Sequence, residues 1–250
     1  MHTQPALSCV LALVVSLVAS ACGDVPDTDA DGPGGATVAA VSDAGRAWVT
    51  LFDGTSLDAW RGFAADAIPP GWQIDDDSLL YFDPAPEGGG DLVTREAYAD
   101  FELELAWKIS ECGNSGLFYR GVLGDTYDYI WQTAPEMQVL DDACHPDARY
   151  PSHRAGSNYD LYVATPGVVK PAGEWNDVRI VARGGAVEHW LNGERVVAYE
   201  QGSEAWAARV AASKFRRMPT YGAFMSGVIG LQDHGDPVWF RDIRIRPLDV

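Results

Sequence analysis

Apolar and polar residues alternate from Phe101 to Ile109, where every second side chain is apolar. This period of two predicts a β-strand with one face in a hydrophobic core. In a later segment, 238–245, the apolar positions shift phase between Phe240 and Ile243, which predicts a β-bulge. Shorter segments of the same kind are also predicted to be strands: 117–119, 137–140, 160–163, 177–181, 187–191, 195–199 and 227–232.

Turn and helix signals indicate how these strands are connected. Asn192-Gly193 separates two predicted strands and supplies the positive φ angles of a tight hairpin turn. One short helix is predicted to begin after the capping residue Ser203 and to end before Pro219. Because no long helices alternate with the strands, a parallel α/β sheet is excluded. We therefore predict an all-β jelly-roll sandwich of two antiparallel sheets with one short helix, in a single domain over 47–250.

Composition supports a sizeable core and excludes one class of partner. Of the 250 residues, 47% are hydrophobic and nine are tryptophan, which is enough apolar material for such a domain. The formal net charge is −18, because 36 acidic residues outnumber 18 Lys and Arg. Binding to a phosphate backbone requires clustered basic residues, so nucleic acid is excluded as a partner.

The N-terminus has the features of an export signal. Ala6 to Ala19 is almost wholly apolar, too short to span a membrane but typical of a signal-peptide core. Small residues and Cys22 follow, as in the lipobox of bacterial lipoproteins. We predict a signal peptide at 1–22, lipidation of Cys22, and a flexible acidic Gly/Ala/Asp linker at 23–46. The alternative is an ordinary cleaved signal peptide in which Cys22 is incidental.

These features predict the bacterial cell envelope as the location, on the periplasmic or outer-membrane face. The protein would contact the membrane only through its lipid anchor.

Cys112 and Cys144 remain in the predicted domain, and in an oxidising compartment such a pair usually forms a disulfide. The alternative is a nucleophilic cysteine beside His145, which is less favoured because no papain-like context surrounds either cysteine.

Candidate chemistry lies in one long polar segment. The sequence contains no G-x-S-x-G elbow, H-E-x-x-H helix, P-loop or dinucleotide fingerprint. Acids, histidines, arginines and tyrosines mix between Glu111 and Lys170, and again from Gln232 to Asp236. Such mixtures indicate the wall of a site, although in an acidic protein they also cap turns. His189, on a predicted strand, is interpreted equally as a core-edge or a catalytic histidine.

Aromatic residues flank this polar segment, and sugar rings pack on such side chains. They are Tyr119, Tyr127, Tyr129 and Trp131. The alternative is that they fill the core of the sandwich.

Several stretches together resemble the bacterial family, formerly a domain of unknown function, that is associated with hydrolysis of 3-keto-disaccharides and other 3-keto-glycosides. The similarity runs in order from about Trp48 to Pro247, and it implies a concanavalin-like (laminin-G-like) jelly roll. Cysteines at 112 and 144 depart from the family pattern. The stretches are 51–54, 114–121, 135–141, 170–176, 189–193, 230–235 and 238–243.

The resemblance implies an elimination. A ketone at C3 of a sugar acidifies the C2 proton, so a base can remove it and the C1 substituent can leave. Water then adds to the unsaturated product, giving net hydrolysis. Such an enzyme needs a base, an acid for the leaving oxygen and an electrophile for the enolate oxygen.

The polar segment supplies candidates for each role. His153 or His145 would act as base or acid, and Glu136 and Asp142 would orient them or hold a cation. Lys170, Arg120 or a bound divalent cation would stabilise the enolate. The residues expected to bind the sugar substrate are Arg120, Tyr119, Tyr159, Gln232, Asp233, His234 and Trp131.

Two rival functions use the same fold. A carbohydrate-binding module would need a flat aromatic platform and few titrating groups, so the cluster between Glu136 and His153 favours an enzyme. A laminin-G-like adhesion domain would hold Ca²⁺ through Asp141, Asp142 or Asp233.

Overall fold

The computed structural model describes residues 46–85, 87 and 89–249. The predicted signal peptide, Cys22 and all but the last residue of the predicted linker lie outside these residues. No helix in the described part is long and apolar enough to cross a membrane. The strands are β1 Val49–Phe52, β2 Trp60–Gly62, β3 Trp72–Ile74, β4 Leu80–Phe82, β5 Leu92–Thr94, β6 Phe101–Ile109, β7 Asn114–Gly121, β8 Glu136–Leu140, β9 Asn176–Arg183, β10 Ala186–Leu191, β11 Glu194–Glu200, β12 Val228–Leu231 and β13 Val238–Pro247.

These strands form two sheets in which neighbours are antiparallel. The large sheet has the order β11-β10-β9-β6-β13-β4-β3, and β1 pairs with the second half of β13. The small sheet has the order β2-β5-β12-β7-β8. One α-helix, α1 (Glu204–Ala212), follows the edge strand β11. The predicted β-sandwich with one short helix is therefore confirmed.

The main core lies between the two sheets. On β6, Phe101, Leu103 and Leu105 are buried in it, as the alternating pattern predicts. A second, smaller apolar cluster contains Phe118 of β7 and Ile130, and it covers the other face of the small sheet. The small sheet is thus buried on both faces, which explains why every residue of β7 and β8 is buried.

Local signals in the sequence produce the expected local structures. Asn192 and Gly193 have φ angles of 49° and 86°, as the predicted hairpin turn requires. The pairing of β13 with β6 shifts register between Arg241 and Arg244, which confirms the predicted bulge. The Ser203 side chain accepts a hydrogen bond from the Trp206 backbone N–H and caps α1.

One predicted strand is wrong, and several strands were not singled out. Residues 160–163 form a turn, because Asp160 adopts a φ of 62° and Tyr162 N–H bonds back to the Asn158 carbonyl. Strands β1 to β5 have only three or four residues each, too few for a period of two to be recognised.

Cys112 and Cys144 form the predicted disulfide, with a Cα–Cα distance of 4.7 Å. Cys112 lies in the turn between β6 and β7, and Cys144 follows β8. The bond therefore ties the loop after β8 to the point where the chain passes from the large sheet to the small one. Neither sulfur is free to act as a nucleophile.

Candidate active site

A pocket of about 350 Å³ lies on the face of the small sheet that is directed away from the large sheet. Glu136 of β8 stands opposite Phe118 of β7, which belongs to the second apolar cluster, whereas the neighbouring Met137 belongs to the main core. Alternation along β8 therefore turns the Glu136 side chain toward the pocket. The pocket is lined by Asp91, Tyr129, Trp131, Glu136, Lys214, Met218, Gln232, Asp233 and His234.

Glu136 is a buried carboxyl group with an altered proton affinity. It is 4% exposed, and burial raises its pKa to about 8, with Lys214 opposing and Asp91 and Asp147 adding to the shift. A Cβ atom at Gly116, on the adjacent strand, would collide with the Glu136 carboxylate. Glycine at that position therefore leaves the space that Glu136 occupies.

Asp91 provides a second carboxyl group, just before β5. Burial raises its pKa to about 7, and the negative charge of Asp233 adds to the shift while a hydrogen bond from the Asp233 backbone N–H opposes it. Asp233 itself accepts a hydrogen bond from Gly90 N–H at 2.7 Å. Two carboxyl groups in this pocket, those of Asp91 and Glu136, therefore change protonation near neutral pH.

Lys214 brings a cation to the pocket. It begins a 3-10 helix, Lys214–Arg217, directly after α1. The residue as a whole is exposed, but desolvation lowers the pKa of its ammonium group, while Glu136, Asp160 and Asp147 act in the opposite direction. Its Nζ lies 4.1 Å from the centre of the Tyr159 ring and 5.9 Å from that of Trp131. The ammonium group is thus held beside aromatic rings and close to Glu136.

Two aromatic residues form one wall. Tyr129 and Trp131 stack with their ring centres 5.4 Å apart and their planes 16° apart. Tyr129 is 54% exposed, so the wall extends from the pocket to the surface. A sugar ring can pack its C–H face on such a wall.

The polar end of the pocket contains three of the predicted residues, Gln232, Asp233 and His234. His234 Nε2 lies 3.3 Å from the Asn114 amide nitrogen, and its ring packs edge-on to His145 at 6.3 Å. His145 does not line the pocket. Its Nδ1 accepts a hydrogen bond from Asp147 N–H and caps a short 3-10 helix.

His153 and Tyr159 form a layer behind Lys214 rather than part of the pocket lining. The two rings stack 4.2 Å apart, and His153 is 14% exposed. Asp147 and Asp160 flank His153, with Asp147 Oδ2 3.6 Å from Nδ1 and Asp160 Oδ1 3.2 Å from Nε2. This placement does not suit His153 as the group that removes a substrate proton.

Arg120 and Tyr119 lie in the interior, so their predicted contact with substrate does not fit the structure. Arg120 is fully buried and donates hydrogen bonds to the Ala99 and Gly184 carbonyls and to Gln201. The Tyr119 hydroxyl lies 2.7 Å from His189 Nε2 within a buried network. The backbone of Arg120 has a φ of 56°, which is a strained conformation. The hydrogen bonds of the Arg120 side chain hold this backbone in place.

His189 belongs to the same buried network and is a core histidine. Burial lowers its pKa to about 4, although a hydrogen bond to the Gly156 carbonyl opposes the shift. A neutral His189 at physiological pH joins β10 to the loop around Gly156. This position favours the structural interpretation of His189 over the catalytic one.

Asp142 and Lys170 also lie apart from the pocket. Asp142 accepts a hydrogen bond from Ala155 N–H at 2.9 Å and lines a different small cavity, of about 150 Å³. Lys170 is 41% exposed, and its Nζ donates to the Trp175 carbonyl at 2.8 Å. Neither residue with a predicted catalytic role, Asp142 or Lys170, lines the pocket that contains Glu136.

Three or more potential metal ligands of the His, Cys, Asp and Glu types lie within 4.8 Å of one another at one place in the described part of the chain. One cluster of three candidate ligands is present there, Cys112, Asp141 and Cys144, and its two sulfurs are joined in the disulfide. Each of the three candidate Ca²⁺ ligands accepts a hydrogen bond from a backbone N–H group, Asp141 from Cys112, Asp142 from Ala155, and Asp233 from Gly90. We therefore assign no step to a metal.

Sequence reasoning missed Asp91, Lys214 and Met218 as site residues. Asp91 precedes a strand too short to be recognised, and Lys214 follows a helix whose C-terminal basic residues are typical of solvent-exposed positions. Both reach the pocket only because the sheets bring distant segments together. The chain order contains no signal for that proximity.

Comparison with known proteins shows the family to which the chain belongs. Residues 47–246 match the model of the 3-keto-alpha-glucoside-1,2-lyase-like domain. A 3-keto-disaccharide hydrolase of Bacteroides thetaiotaomicron is 38% identical over 228 residues, which cover 81% of this chain and 79% of the relative. These matches support an enzyme of the glycoside-hydrolase kind.

Solved structures give the same picture. A putative glycosyl hydrolase of Parabacteroides distasonis superposes with a TM-score of 0.74 at 33% identity, covering 81% of this chain and 94% of the other. A Bacillus subtilis protein of unknown function with a galectin-like fold has a TM-score of 0.55 at 14% identity, covering 81% and 95%, and shows the fold alone. The predicted jelly-roll class is confirmed, and the chain belongs to the family of 3-keto-alpha-glucoside-1,2-lyase-like domains.

Proposed function

We propose that this protein cleaves 3-keto-glycosides, including 3-keto-disaccharides, by elimination followed by hydration. The supporting observation is the meeting of Asp91, Glu136 and Lys214 in one pocket, where burial shifts the pKa of each group toward the neutral range. These three residues supply the base, acid and electrophile that the elimination needs.

The order of the two raised pKa values suggests the roles of the carboxyl groups. We assign Asp91, with the lower pKa of about 7, as the base and Glu136, with the higher pKa of about 8, as the acid. Asp91 takes the C2 proton, and the electron pair of the C–H bond becomes the enolate of the C3 ketone. The Lys214 ammonium stabilises the enolate oxygen.

The enolate then expels the C1 substituent. The C1–O bond breaks, a C1=C2 double bond forms, and Glu136 gives its proton to the leaving oxygen. Water adds at C1 of the resulting enone while C2 regains a proton, so that the two steps amount to hydrolysis. A retaining glycosidase would instead use one carboxylate as a nucleophile on an oxocarbenium-like centre, without a ketone in the substrate.

The aromatic wall suggests where the leaving sugar binds. Tyr129 and Trp131 extend from the pocket to the surface, so the ring beyond the cleaved bond would stack there. A volume of about 350 Å³ accommodates one sugar ring and part of a second.

The decisive experiment compares a 3-keto-glucoside with the matching unoxidised glucoside, using the purified protein with and without a chelator. We expect aglycone release and transient enone absorbance from the keto sugar alone, unchanged by the chelator. Cleavage of both sugars at similar rates would contradict the elimination. Binding of glycans without any cleavage would support the carbohydrate-binding module instead.

We also propose that the protein is exported and anchored by a lipid on Cys22. The apolar N-terminal segment and the following Cys22 support this proposal, and the Cys112–Cys144 disulfide suits an oxidising compartment. Metabolic labelling with a radioactive fatty acid should mark the wild-type protein and not Cys22→Ser. Equal labelling of the two forms, or none in either, would contradict lipidation at this position.

A further inference from the structure

The Lys214 ammonium is held by rings rather than by hydrogen-bond acceptors. Its Nζ lies 4.1 Å from the Tyr159 ring centre, 5.0 Å from that of Phe215 and 5.9 Å from that of Trp131. Among the described residues, none accepts a hydrogen bond from this nitrogen. An aromatic face attracts a cation without occupying its N–H groups, so all three donors stay available for a substrate oxygen.

Tyr159 is the ring closest to that ammonium, and it is fixed from two sides. Its hydroxyl donates to Asp147 Oδ2 at 3.1 Å. The His153 ring stacks on it with centres 4.2 Å apart and planes 22° apart. The Tyr159 ring therefore has little freedom to tilt, which matters because a cation–π contact depends on the cation lying over the ring face.

Asp160 joins this layer to the backbone of Lys214. One of its oxygens lies 3.2 Å from His153 Nε2, and the other accepts the Lys214 backbone N–H at 2.8 Å. Asp160 has a φ of 62°, so it occupies a strained conformation that these bonds maintain. The loop that carries Tyr159 and the turn that carries Lys214 are thus fastened to each other.

We propose that Tyr159 is a positioning residue for the Lys214 ammonium, held in place by His153, Asp147 and Asp160. This inference rests on the proposed role of Lys214 as the group that stabilises the enolate. It gives His153 and Tyr159 a supporting role, in place of the direct contact with substrate that the sequence suggested.

A double-mutant cycle tests the inference in the full-length protein. Tyr159→Leu removes the ring and should lower kcat by about fivefold with little change in KM, because the cation–π contact with the exposed Lys214 side chain is lost. Tyr159→Phe keeps the ring and loses only the bond to Asp147, so kcat should fall by about two- to threefold. In the background of Lys214→Ala, Tyr159→Leu should change kcat by less than about twofold.

Each of the other possible results would contradict a different step of the proposal. An equal loss from Tyr159→Leu with and without Lys214 would mean that Tyr159 only supports the fold, and the inference would fail. Equal losses from Leu and Phe would place the effect in the hydroxyl, which also overturns it. If Lys214→Ala keeps full activity, the proposed function fails first. Thermal unfolding of every variant checks folding, and His153→Ala replaces Tyr159→Leu in the cycle if the latter does not fold.

Discussion

The outer face of the large sheet and the pocket on the small sheet both carry carboxylates, but they stabilise negative charge differently. On the outer face, Glu102 forms ion pairs with Arg179 and Arg246, although its side chain is only 5% exposed. Glu104 accepts a hydrogen bond from Arg244 Nε at 2.9 Å. Each of these carboxylates has a guanidinium partner that stabilises its ionised form.

Aromatic rings on this face also have cations as neighbours, in cation–π contacts. Lys108 lies 4.6 Å from the ring centre of Trp239, and Arg179 lies 4.9 Å from that of Trp190. Burial raises the pKa of Glu188, but hydrogen bonds from Arg195 and Trp190 outweigh it, and the net shift is downward. On the outer face, these carboxylates are therefore paired with cations, and these cations also lie against aromatic rings or carboxylates.

The carboxyl groups in the pocket have no guanidinium partner of this kind among the described residues that line it. No arginine is among these described residues, and the pKa values of Glu136 and Asp91 are raised to about 8 and about 7. A groove of about 770 Å³ on the outer face, lined in part by Glu104, Arg179 and Arg244, has about twice the volume of the pocket. Cavity size thus favours the outer face, whereas the raised pKa values of two buried carboxyl groups favour the pocket as the candidate site.

The largest expected effect is the loss of the acid. Glu136→Gln should lower kcat on a 3-keto-glycoside by about 10²–10⁴-fold, because an amide cannot deliver the proton to the leaving oxygen. Steady-state kinetics measure the change, with Glu104→Gln on the outer face as the matched control, expected to stay within about twofold of wild type. Comparable losses from both variants would remove the distinction between the two faces.

Loss of the cation should rank second. Lys214→Met keeps much of the side-chain volume and removes the charge, so kcat should fall by about 10²–10³-fold as stabilisation of the enolate disappears. Lys108→Met, which removes a cation from the outer face, serves as the control and should leave kcat within about twofold. A rise in KM alone for Lys214→Met would show that Lys214 binds the substrate without stabilising the transition state.

A smaller effect is expected from the aromatic wall. Trp131→Ala removes the ring that Tyr129 stacks on, and we expect KM to rise by about tenfold as one stacking contact with the sugar is lost. The matched change on the outer face, Trp190→Ala, should not alter KM. If Trp131→Ala changes kcat and leaves KM as it was, the wall does not bind the leaving sugar.

The smallest effect is the pH dependence within the physiological range. A base with a pKa of about 7 must be ionised and an acid with a pKa of about 8 must be protonated in the free enzyme, so kcat/KM should fall below about pH 7 and above about pH 8. In Glu136→Gln the remaining activity should lose the alkaline limb and keep the acidic one. A kcat/KM that rises steadily up to pH 9 would mean that no group with a pKa of about 8 acts in its protonated form, which contradicts the role of Glu136 as the acid.

The sequence predicted the features that depend on neighbouring residues. The strand 101–109, the Asn192-Gly193 turn, the Ser203 cap and the bulge in β13 each depend on a pattern within a few positions. The disulfide was predicted because only two cysteines remain in the domain and the N-terminus indicates export.

The lining of the candidate site was predicted only in part. Contacts between segments that are far apart in the chain leave no local pattern in the sequence. Glu136, Trp131 and Gln232–His234 were identified and do line the pocket, whereas Asp91 and Lys214 were missed. Arg120 was misassigned because the sequence does not reveal that its donors bond to backbone carbonyls from two other segments. Charge and residue type suggest chemistry, but burial decides which groups remain available for it.

The position of β13 has a consequence for the way the chain folds. This last strand lies between β6 and β4 in the middle of the large sheet and also pairs with β1, the first strand. A ribosome adds about 5–20 residues each second, so the central strand of the sheet is the last to be made. The large sheet therefore closes only after β13 has been made, and a nonsense mutation before β13 would remove a strand from the middle of that sheet rather than from its edge.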